Sequence, residues 1–145
     1  MAGKVEWIGV RPERRAEVIA VDRAGIDLEN GLEGDHVTQP HRQVTIISME
    51  QMKDVADRLE QESVDPADTR RNILISGVDF DQVSGKHIAI GSAEIEVTGY
   101  CHPCKRMDEN LGDGGRLAMA RKAGYTCKVL KSGEVSVGSP VEILD

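Results

Sequence analysis

The sequence is poor in aromatic residues, has no long apolar run and carries more acidic than basic residues. One Trp, two Tyr and one Phe among 145 residues leave no evident stacking platform for single-stranded nucleic acid. The formal net charge of -7 argues against nonspecific nucleic-acid binding, for which many Lys and Arg side chains must neutralise phosphates. No run approaches the roughly 20 apolar residues of a membrane span, and the first fifteen residues lack the apolar core of a signal peptide. We therefore expect a cytoplasmic protein that binds neither nucleic acid nor a membrane.

Internal repeats, low-complexity tracts and linkers are also missing, so we expect residues 1–145 to form one domain. A compact chain of this length buries roughly 70% of its unfolded surface and needs no disulfide or structural metal. The sequence has only three cysteines, and in a reducing compartment cysteines are more often catalytic or metal-binding than structural. The cysteines are therefore the first candidates for functional residues.

Short segments with the alternation of half-buried strands occur along the whole chain, and helical patterns are few. This combination favours a mainly β protein, a β-barrel with a few inserted α-helices, over a parallel α/β sheet. Gly91 and Ser92 are expected to join two of the strands as a hairpin. The predicted strands are residues 4–10, 17–22, 43–47, 72–76, 87–91 and 93–97, followed near the C-terminal end by YTCKVL, EVSV and PVEIL.

The clearest predicted helix covers residues 48–62. Ser48 and Gln51 form a capping-box pattern at its start, and an apolar stripe follows. A further helix is predicted at residues 116–122. The stripe of the first helix, which we expect to pack on the barrel, consists of Met49, Met52, Val55, Ala56 and Leu59.

Residues 23–42 are the longest stretch rich in turn residues, with three glycines and Pro40, and are predicted to form a long loop. Loops of this length are more often binding loops or lids than passive connections. The segment GLEGDH within it ends in His36, whose ring could hydrogen-bond a ligand. We therefore include His36 among the candidate ligand-binding residues.

The segment TGYCHPCKRMDENLG, residues 98–112, has the strongest functional pattern. It places two cysteines beside a proline, a histidine and two basic residues, where a predicted strand is followed by a helix. Met107 and Leu111 lie four residues apart and so share a face of that helix. Pro103 fits the first helical position, because its missing N–H costs nothing there.

Cys104 would then lie in the first turn of the helix and is the predicted reactive thiol. The free N–H groups and the dipole of a helix start favour a thiolate, and Lys105 and Arg106 add positive charge. Cys101 precedes the turn and is predicted to be an auxiliary thiol. His102 is a candidate base.

The Cys101-x-x-Cys104 pattern is compatible with three kinds of site. A structural zinc site normally has four ligands, and only Cys127 and scattered histidines remain to complete one. A thioredoxin-like pair normally follows an early strand of a βαβ unit, whereas this pair lies two-thirds along a strand-rich chain. A single activated thiolate, as nucleophile, sulfur carrier or soft-metal ligand, fits these surroundings better. Cys127 alternates with Tyr125 and Val129 and is expected in the core.

Basic residues cluster in this acidic chain directly before the predicted strand 72–76 and directly after the second cysteine, and Arg116, Arg121 and Lys122 follow soon after. Simple exposure to solvent is one explanation for each cluster. Convergence of both on an anionic small molecule near Cys104 is the sharper hypothesis, and it requires distant segments to meet. The candidate binding residues are Arg70, Arg71, Asn72, Lys105 and Arg106.

Taken together, the sequence resembles a MOSC domain, the module named after the C-terminal domain of molybdenum cofactor sulfurases. The resemblance covers nearly the whole chain, and the order and spacing of several segments carry it. The reactive cysteine of the family directly follows a proline, which makes it Cys104 here, whereas many relatives have no cysteine at the position of Cys101. The matching segments are IGVRP, GLEGDH with RQVTII, RRNILISGVDF, GSAEIEVTGYCHPC and GYTCKVLKSGEVSVGSPVEIL.

The resemblance implies a strand-rich barrel that handles sulfur or molybdenum. Cys104 would carry a persulfide or act as a molybdenum ligand, and the cations and His36 would help to bind the pterin-based molybdenum cofactor, molybdopterin. Some relatives reduce N-hydroxylated compounds through that cofactor. Pyridoxal phosphate is not expected in this chain, because 145 residues leave no room for the desulfurase domain of the larger sulfurases.

The implied partners are a cysteine desulfurase-type sulfur donor or an electron-transfer partner, together with a small-molecule substrate. Two other functions remain open from the sequence. The first is a noncatalytic carrier of the molybdenum cofactor, and the second is a zinc or thiol redox module.

Overall fold

The computed structural model describes residues 3–14, 16–36, 39, 42–80, 85–101, 106–112 and 114–144, and only the backbone of residue 106. These residues form eleven strands and four short helices. The strands are β1 (Gly3–Val10), β2 (Ile19–Val21), β3 (Arg23–Asp27), β4 (Gly31–Leu32), β5 (Val44–Ser48), β6 (Ile73–Ser76), β7 (His87–Ile90), β8 (Ala93–Tyr100), β9 (Tyr125–Lys131), β10 (Gly133–Ser136) and β11 (Pro140–Ile143). The helices are α1 (Met49–Arg58), α2 (Pro66–Thr69), α3 (Arg106–Leu111) and α4 (Gly115–Ala118).

Seven strands close into a mixed barrel. They are neighbours in the order β11, β7, β8, β9, β5, β6 and β1, and β1 pairs with β11 to complete the ring. Strands β5 and β6 pair in parallel, the other neighbours are antiparallel, and β2 pairs with β1 beside the ring. Strands β7 and β8 form the expected hairpin across Gly91 and Ser92. The mainly β barrel with a few helices that the sequence predicts is confirmed.

Two apolar clusters hold the barrel together. The first fills its interior with alternate residues of each strand, as Tyr125, Cys127 and Val129 of β9 illustrate. The second lies outside the ring, where Ile47 of β5 and Leu74 of β6 pack against α1, α3 and α4. The predicted packing of the first helix on the barrel is therefore confirmed.

Helix α1 differs from its prediction in length and in one contact. Ser48 and Gln51 form both hydrogen bonds of the capping box, as expected, but the helix ends at Arg58. Met52 and Val55 are buried, whereas Met49 is 43% exposed, so its predicted core position is wrong. Met49 is the first residue of α1 and is not part of the apolar cluster, which this helix enters at Met52.

The predicted long loop at residues 23–42 is also wrong in part. It contains β3 and β4, which join β10 in a separate three-stranded sheet. Arg23 pairs with Ser136 and Ile26 with Gly133. Strand β3 therefore forms because β10, a distant segment of the chain, supplies its pairing partner. Helix α4 is shorter than the predicted 116–122 helix. No helix in the described part of the chain is long and apolar enough to cross a membrane.

Candidate functional site

A cleft of about 900 Å³ opens beside the end of β8. The first turn of α1 forms one side, the segment after β6 forms another, and the turn that leads into β9 completes the wall. The lining residues are Ser48, Glu50, Gln51, Asp54, Gly77, Val78, Asp79, Phe80, Tyr100, Cys101, Arg121, Lys122 and Tyr125.

Three of the four aromatic side chains of the chain meet in this cleft. The ring centroids of Phe80 and Tyr125 lie 5.6 Å apart, and those of Tyr100 and Tyr125 lie 5.3 Å apart. These separations and their tilted planes are favourable for aromatic pairs. Tyr125 is buried and its hydroxyl donates to the Phe80 carbonyl, whereas Tyr100 is 57% exposed. The cleft therefore presents one face of a fixed aromatic cluster to a ligand.

Cys101 lies in the wall of the cleft and is 6% exposed. Its backbone N–H donates to the carbonyl of Gly124 at 2.9 Å, which fixes the start of the Cys-His-Pro-Cys segment against the turn before β9. His102, Cys104 and Lys105 lie outside the described residues, as does the side chain of Arg106. The roles predicted for them stay predictions.

Cys127 lies behind the cleft in the barrel interior and is fully buried. Burial raises the pKa of its thiol well above the usual range, and the neighbouring Cys101 thiol adds to the effect. The expected core position of Cys127 is confirmed. A thiol held neutral in this way is a poor nucleophile.

Charges of both signs line the cleft. Lys122 forms an ion pair with Asp54, with 3.0 Å between Nζ and Oδ2. Glu50, Asp79 and Arg121 are the other charged residues of the lining. Within the described residues, no three His, Cys, Asp or Glu side chains form a group that could hold a metal ion.

The two arginines predicted to bind an anion are not part of the cleft lining. Arg70 donates from its guanidinium to the carbonyl of Ala16 at 2.6 Å. Arg71 is 4% exposed, and its Nε donates to the carbonyl of Ala123. Arg71 therefore contacts the turn that forms the cleft wall without entering the cleft.

Asn72, also predicted to bind a ligand, lies in a buried polar network. Its side chain donates to the Gly9 carbonyl and to Asp35 at 3.1 Å each, and it accepts from Thr45. It is fully buried, so its amide joins β1, β5 and the 33–36 turn instead of facing a ligand. In this structure its donors and its acceptor are used by these partners, and its predicted role in ligand binding stays a prediction.

Asp35 and Arg11 form the ionic part of the same network. The Arg11 side chain donates to both carboxylate oxygens of Asp35, at 3.0 and 2.9 Å, and the Arg11 backbone N–H donates at 2.7 Å. Burial alone would raise the pKa of Asp35, but the hydrogen bonds and charge of Arg11, with help from Asn72, outweigh it and lower that pKa. Nδ1 of the exposed His36 lies 2.8 Å from the Arg11 carbonyl.

Residues 33–142, most of the chain, match the family model of the MOSC domain. The chain belongs to the MOSC domain family. Several solved structures share the fold of this MOSC domain. YuaD from Bacillus subtilis is 19% identical, with a TM-score of 0.86 over 99% of this chain and 96% of YuaD.

YiiM from Escherichia coli is 23% identical to the MOSC domain, with a TM-score of 0.75 over 98% of this chain and 70% of its own. YiiM from Geobacillus stearothermophilus is 15% identical, with a TM-score of 0.78 over 99% and 75% of the two chains. At these identities the likeness shows the fold alone. None of the curated proteins compared with the sequence matches it.

Sequence patterns missed most of the cleft of this MOSC domain. Phe80, Tyr100 and Tyr125 stand far apart in the chain, and no periodicity links them. The chain has only four aromatic residues, and this rarity is the one sequence signal that could have drawn attention to these three. Arg121 and Lys122 were visible as basic residues at the end of the predicted 116–122 helix. Their place in the wall depends on how the chain turns after α4.

Proposed function

We propose that this MOSC domain binds the molybdenum cofactor in the cleft and uses the thiolate of Cys104 as the metal ligand. The cleft itself is the observation that carries the proposal: about 900 Å³, three aromatic rings, and Cys101 in its wall three residues before Cys104. Small-molecule sites commonly enclose roughly 300–1,000 Å³. A persulfide carrier needs only an accessible thiol, so a cleft of this size favours a cofactor.

The residues of the cleft fit such a group. The exposed ring of Tyr100, backed by Tyr125, offers a flat surface for a pterin ring. Arg121 and Lys122 supply positive charge for a phosphate. A thiolate is the soft ligand that suits molybdenum. When bound, the cofactor would supply the redox chemistry by which related proteins reduce N-hydroxylated compounds.

The protein itself would bind and orient the cofactor. The hydrogen bond from Cys101 to Gly124 anchors the start of the cysteine segment, and the aromatic cluster would shield one side of the cleft from water once a ligand is bound. The Lys122–Asp54 pair ties the turn before β9 to α1, so the two sides of the cleft are joined. An electron-transfer partner and a small-molecule substrate would complete an enzyme.

Exchange of each cysteine for serine tests the role of Cys104. Cys104→Ser should abolish bound molybdenum or sulfane sulfur and the thiolate that alkylates rapidly at neutral pH, because serine is neither a soft ligand nor a thiolate. Cys101→Ser is the matched control and should weaken binding at most. The measurements are elemental analysis of purified protein and alkylation rate against pH.

Four results would each lead to a different assignment. Equal losses in both variants would indicate a dithiol site, and tightly bound zinc would support the zinc or thiol redox module. Sulfane sulfur without molybdenum would indicate a sulfur carrier that is loaded by a cysteine desulfurase-type donor. Reversible molybdenum cofactor binding without turnover would indicate a noncatalytic carrier.

Tyr100 provides a second test, directed at the aromatic wall. Tyr100→Ala should lower cofactor affinity by about 1–3 kcal/mol, the usual range for a stacking aromatic, whereas Tyr100→Phe should retain the affinity because the ring remains. Cofactor content after dialysis against increasing volumes measures the difference. Equal affinity of the alanine and wild-type proteins would remove the aromatic wall from the site.

A further inference from the structure

Arg121 has a backbone conformation that suits glycine. Its φ of 64° lies in the left-handed region, which is uncommon for residues with a Cβ atom. Glu60 and Arg70 share this feature among the described residues, but of the three only Arg121 lines the cleft. Strained backbone of this kind persists where the surroundings hold it, and it is frequent at ligand sites.

Two other arginines hold the turn on both sides of Arg121. Nη1 of Arg58 donates to the carbonyls of Ala118 at 2.9 Å and Ala120 at 2.8 Å. Nε of the buried Arg71 donates to the carbonyl of Ala123. The backbone before and after Arg121 is thus held by charged donors from α1 and from the connection between α2 and β6.

The two cations of the cleft also differ in their partners. Lys122 is paired with Asp54, whereas the guanidinium of Arg121 has neither a hydrogen bond nor an ion pair within the described ranges. Glu50 and Asp79 would repel an anion elsewhere in the lining. The planar fork of a guanidinium matches the oxygens of phosphate or carboxylate, so Arg121 is the place in the cleft where an oxyanion is favoured.

We infer that Arg121 is the oxyanion-binding residue of the cleft and that Arg58 and Arg71 are its positioning residues. The inference rests on the proposed function and deepens it, because the oxyanion would be the phosphate of a bound cofactor or the anionic group of a substrate. The buried Arg71 thereby has a role beyond packing, because it holds the turn that carries Arg121. Arg71 then acts on the ligand through the backbone of Arg121.

The test uses inorganic phosphate as the probe and the full chain as the protein. Phosphate is titrated while the arginine Nε–Hε resonances are followed by NMR. Arg121→Gly removes the guanidinium but accepts the left-handed backbone, so the thermal midpoint should stay equal or rise while phosphate affinity falls roughly tenfold or more. Arg116→Ala, on the exposed side of α4, is the matched control and should leave both quantities unchanged.

The positioning role is separated from a purely structural one by double variants. Arg58→Lys should weaken phosphate binding in the wild-type background but not in the Arg121→Gly background, although it lowers the thermal midpoint in both. Arg71→Lys should behave in the same way. Phosphate affinity retained in Arg121→Gly would overturn the binding role. Additive losses in the double variants would overturn the positioning role.

Two further measurements identify the source of the oxyanion and keep this inference distinct from the proposed function. If the anion belongs to the cofactor, phosphate should compete with cofactor loading and Arg121→Gly should contain less molybdenum. If the anion belongs to a substrate, Arg121→Gly should lose phosphate binding while its molybdenum content stays that of the wild-type protein. Phosphate bound through Arg121 in a protein that never binds molybdenum would uphold this inference and overturn the proposed function.

Discussion

Replacement of Asp35 by alanine is expected to lower the free energy of unfolding by about 3–5 kcal/mol, because it leaves the buried charge of Arg11 without its partner. The side chains of Arg11 and Asp35 are 5% and 0% exposed, and Asp35 accepts three hydrogen bonds from Arg11. Urea denaturation at neutral pH measures the loss. Asp54→Ala breaks a half-exposed ion pair and should cost about 0–1 kcal/mol.

A double variant separates the contribution of the Arg11–Asp35 ion pair from the cost of leaving one buried charge unpaired. Arg11→Met with Asp35→Leu removes both charges and should lose less stability than Asp35→Ala alone, because no charge is left buried without a partner. If the double variant is the less stable of the two, the ionic interaction itself and not the desolvated charge dominates.

The same carboxylate makes stability depend on pH. Since the folded-state pKa of Asp35 is lowered, its contribution is present above the unfolded-state value of about 3.9 and is lost as the pH falls through the lower folded-state value. Wild-type stability should therefore decline more steeply below about pH 4 than that of Asp35→Asn. If the unfolding free energies of the two proteins fall in parallel with pH, Asp35 does not cause the pH dependence.

Gly124→Ala is the second substitution with a large expected effect, about 2–5 kcal/mol of unfolding free energy. Gly124 has a φ of +85°, and a Cβ there would meet the carbonyl oxygen of Ile46 far inside van der Waals contact. Because the Gly124 carbonyl accepts from Cys101, the substitution should also disturb the start of the cysteine segment.

Gly138→Ala is the matched control for this clash. Gly138 has a φ of +94°, and a Cβ at this position would have no other atom within 4 Å apart from its chain neighbours. Gly138→Ala should lower the free energy of unfolding by about 1–2 kcal/mol, the cost of the left-handed backbone alone. Calorimetric midpoints of the two alanine variants compare the costs. Equal shifts would mean that the β9 turn relaxes around the extra methyl group.

The barrel was largely predictable from local patterns. Alternation along β8 and β9, the Gly91–Ser92 hairpin and the Ser48–Gln51 capping box all depend on neighbours in sequence, so the local residues suffice to indicate them. The strand β3 was missed for the opposite reason. Its partner β10 lies about a hundred residues away, and its own residues resemble a turn-rich loop.

The candidate site was predictable only in part. The Cys-His-Pro-Cys segment begins where β8 ends, and Cys101 lies in the wall of the cleft. The choice of Cys104 as the reactive thiol stays a prediction. Arg70 and Arg71 lie outside the cleft lining and donate to the carbonyls of Ala16 and Ala123. A sequence shows the charge of a side chain but not which backbone carbonyls accept its hydrogen bonds.

The sequence by itself determined the strand-rich class, the helix start at Ser48 and the family to which the domain belongs, because each follows from residue types at short or ordered spacings. Only the tertiary structure decided what surrounds the cysteines. Chain closure brings Phe80, Tyr100 and Tyr125 together, and the clamped turn after α4 puts Arg121 in the cleft wall. These contacts join residues that are distant in sequence, so no local pattern encodes them.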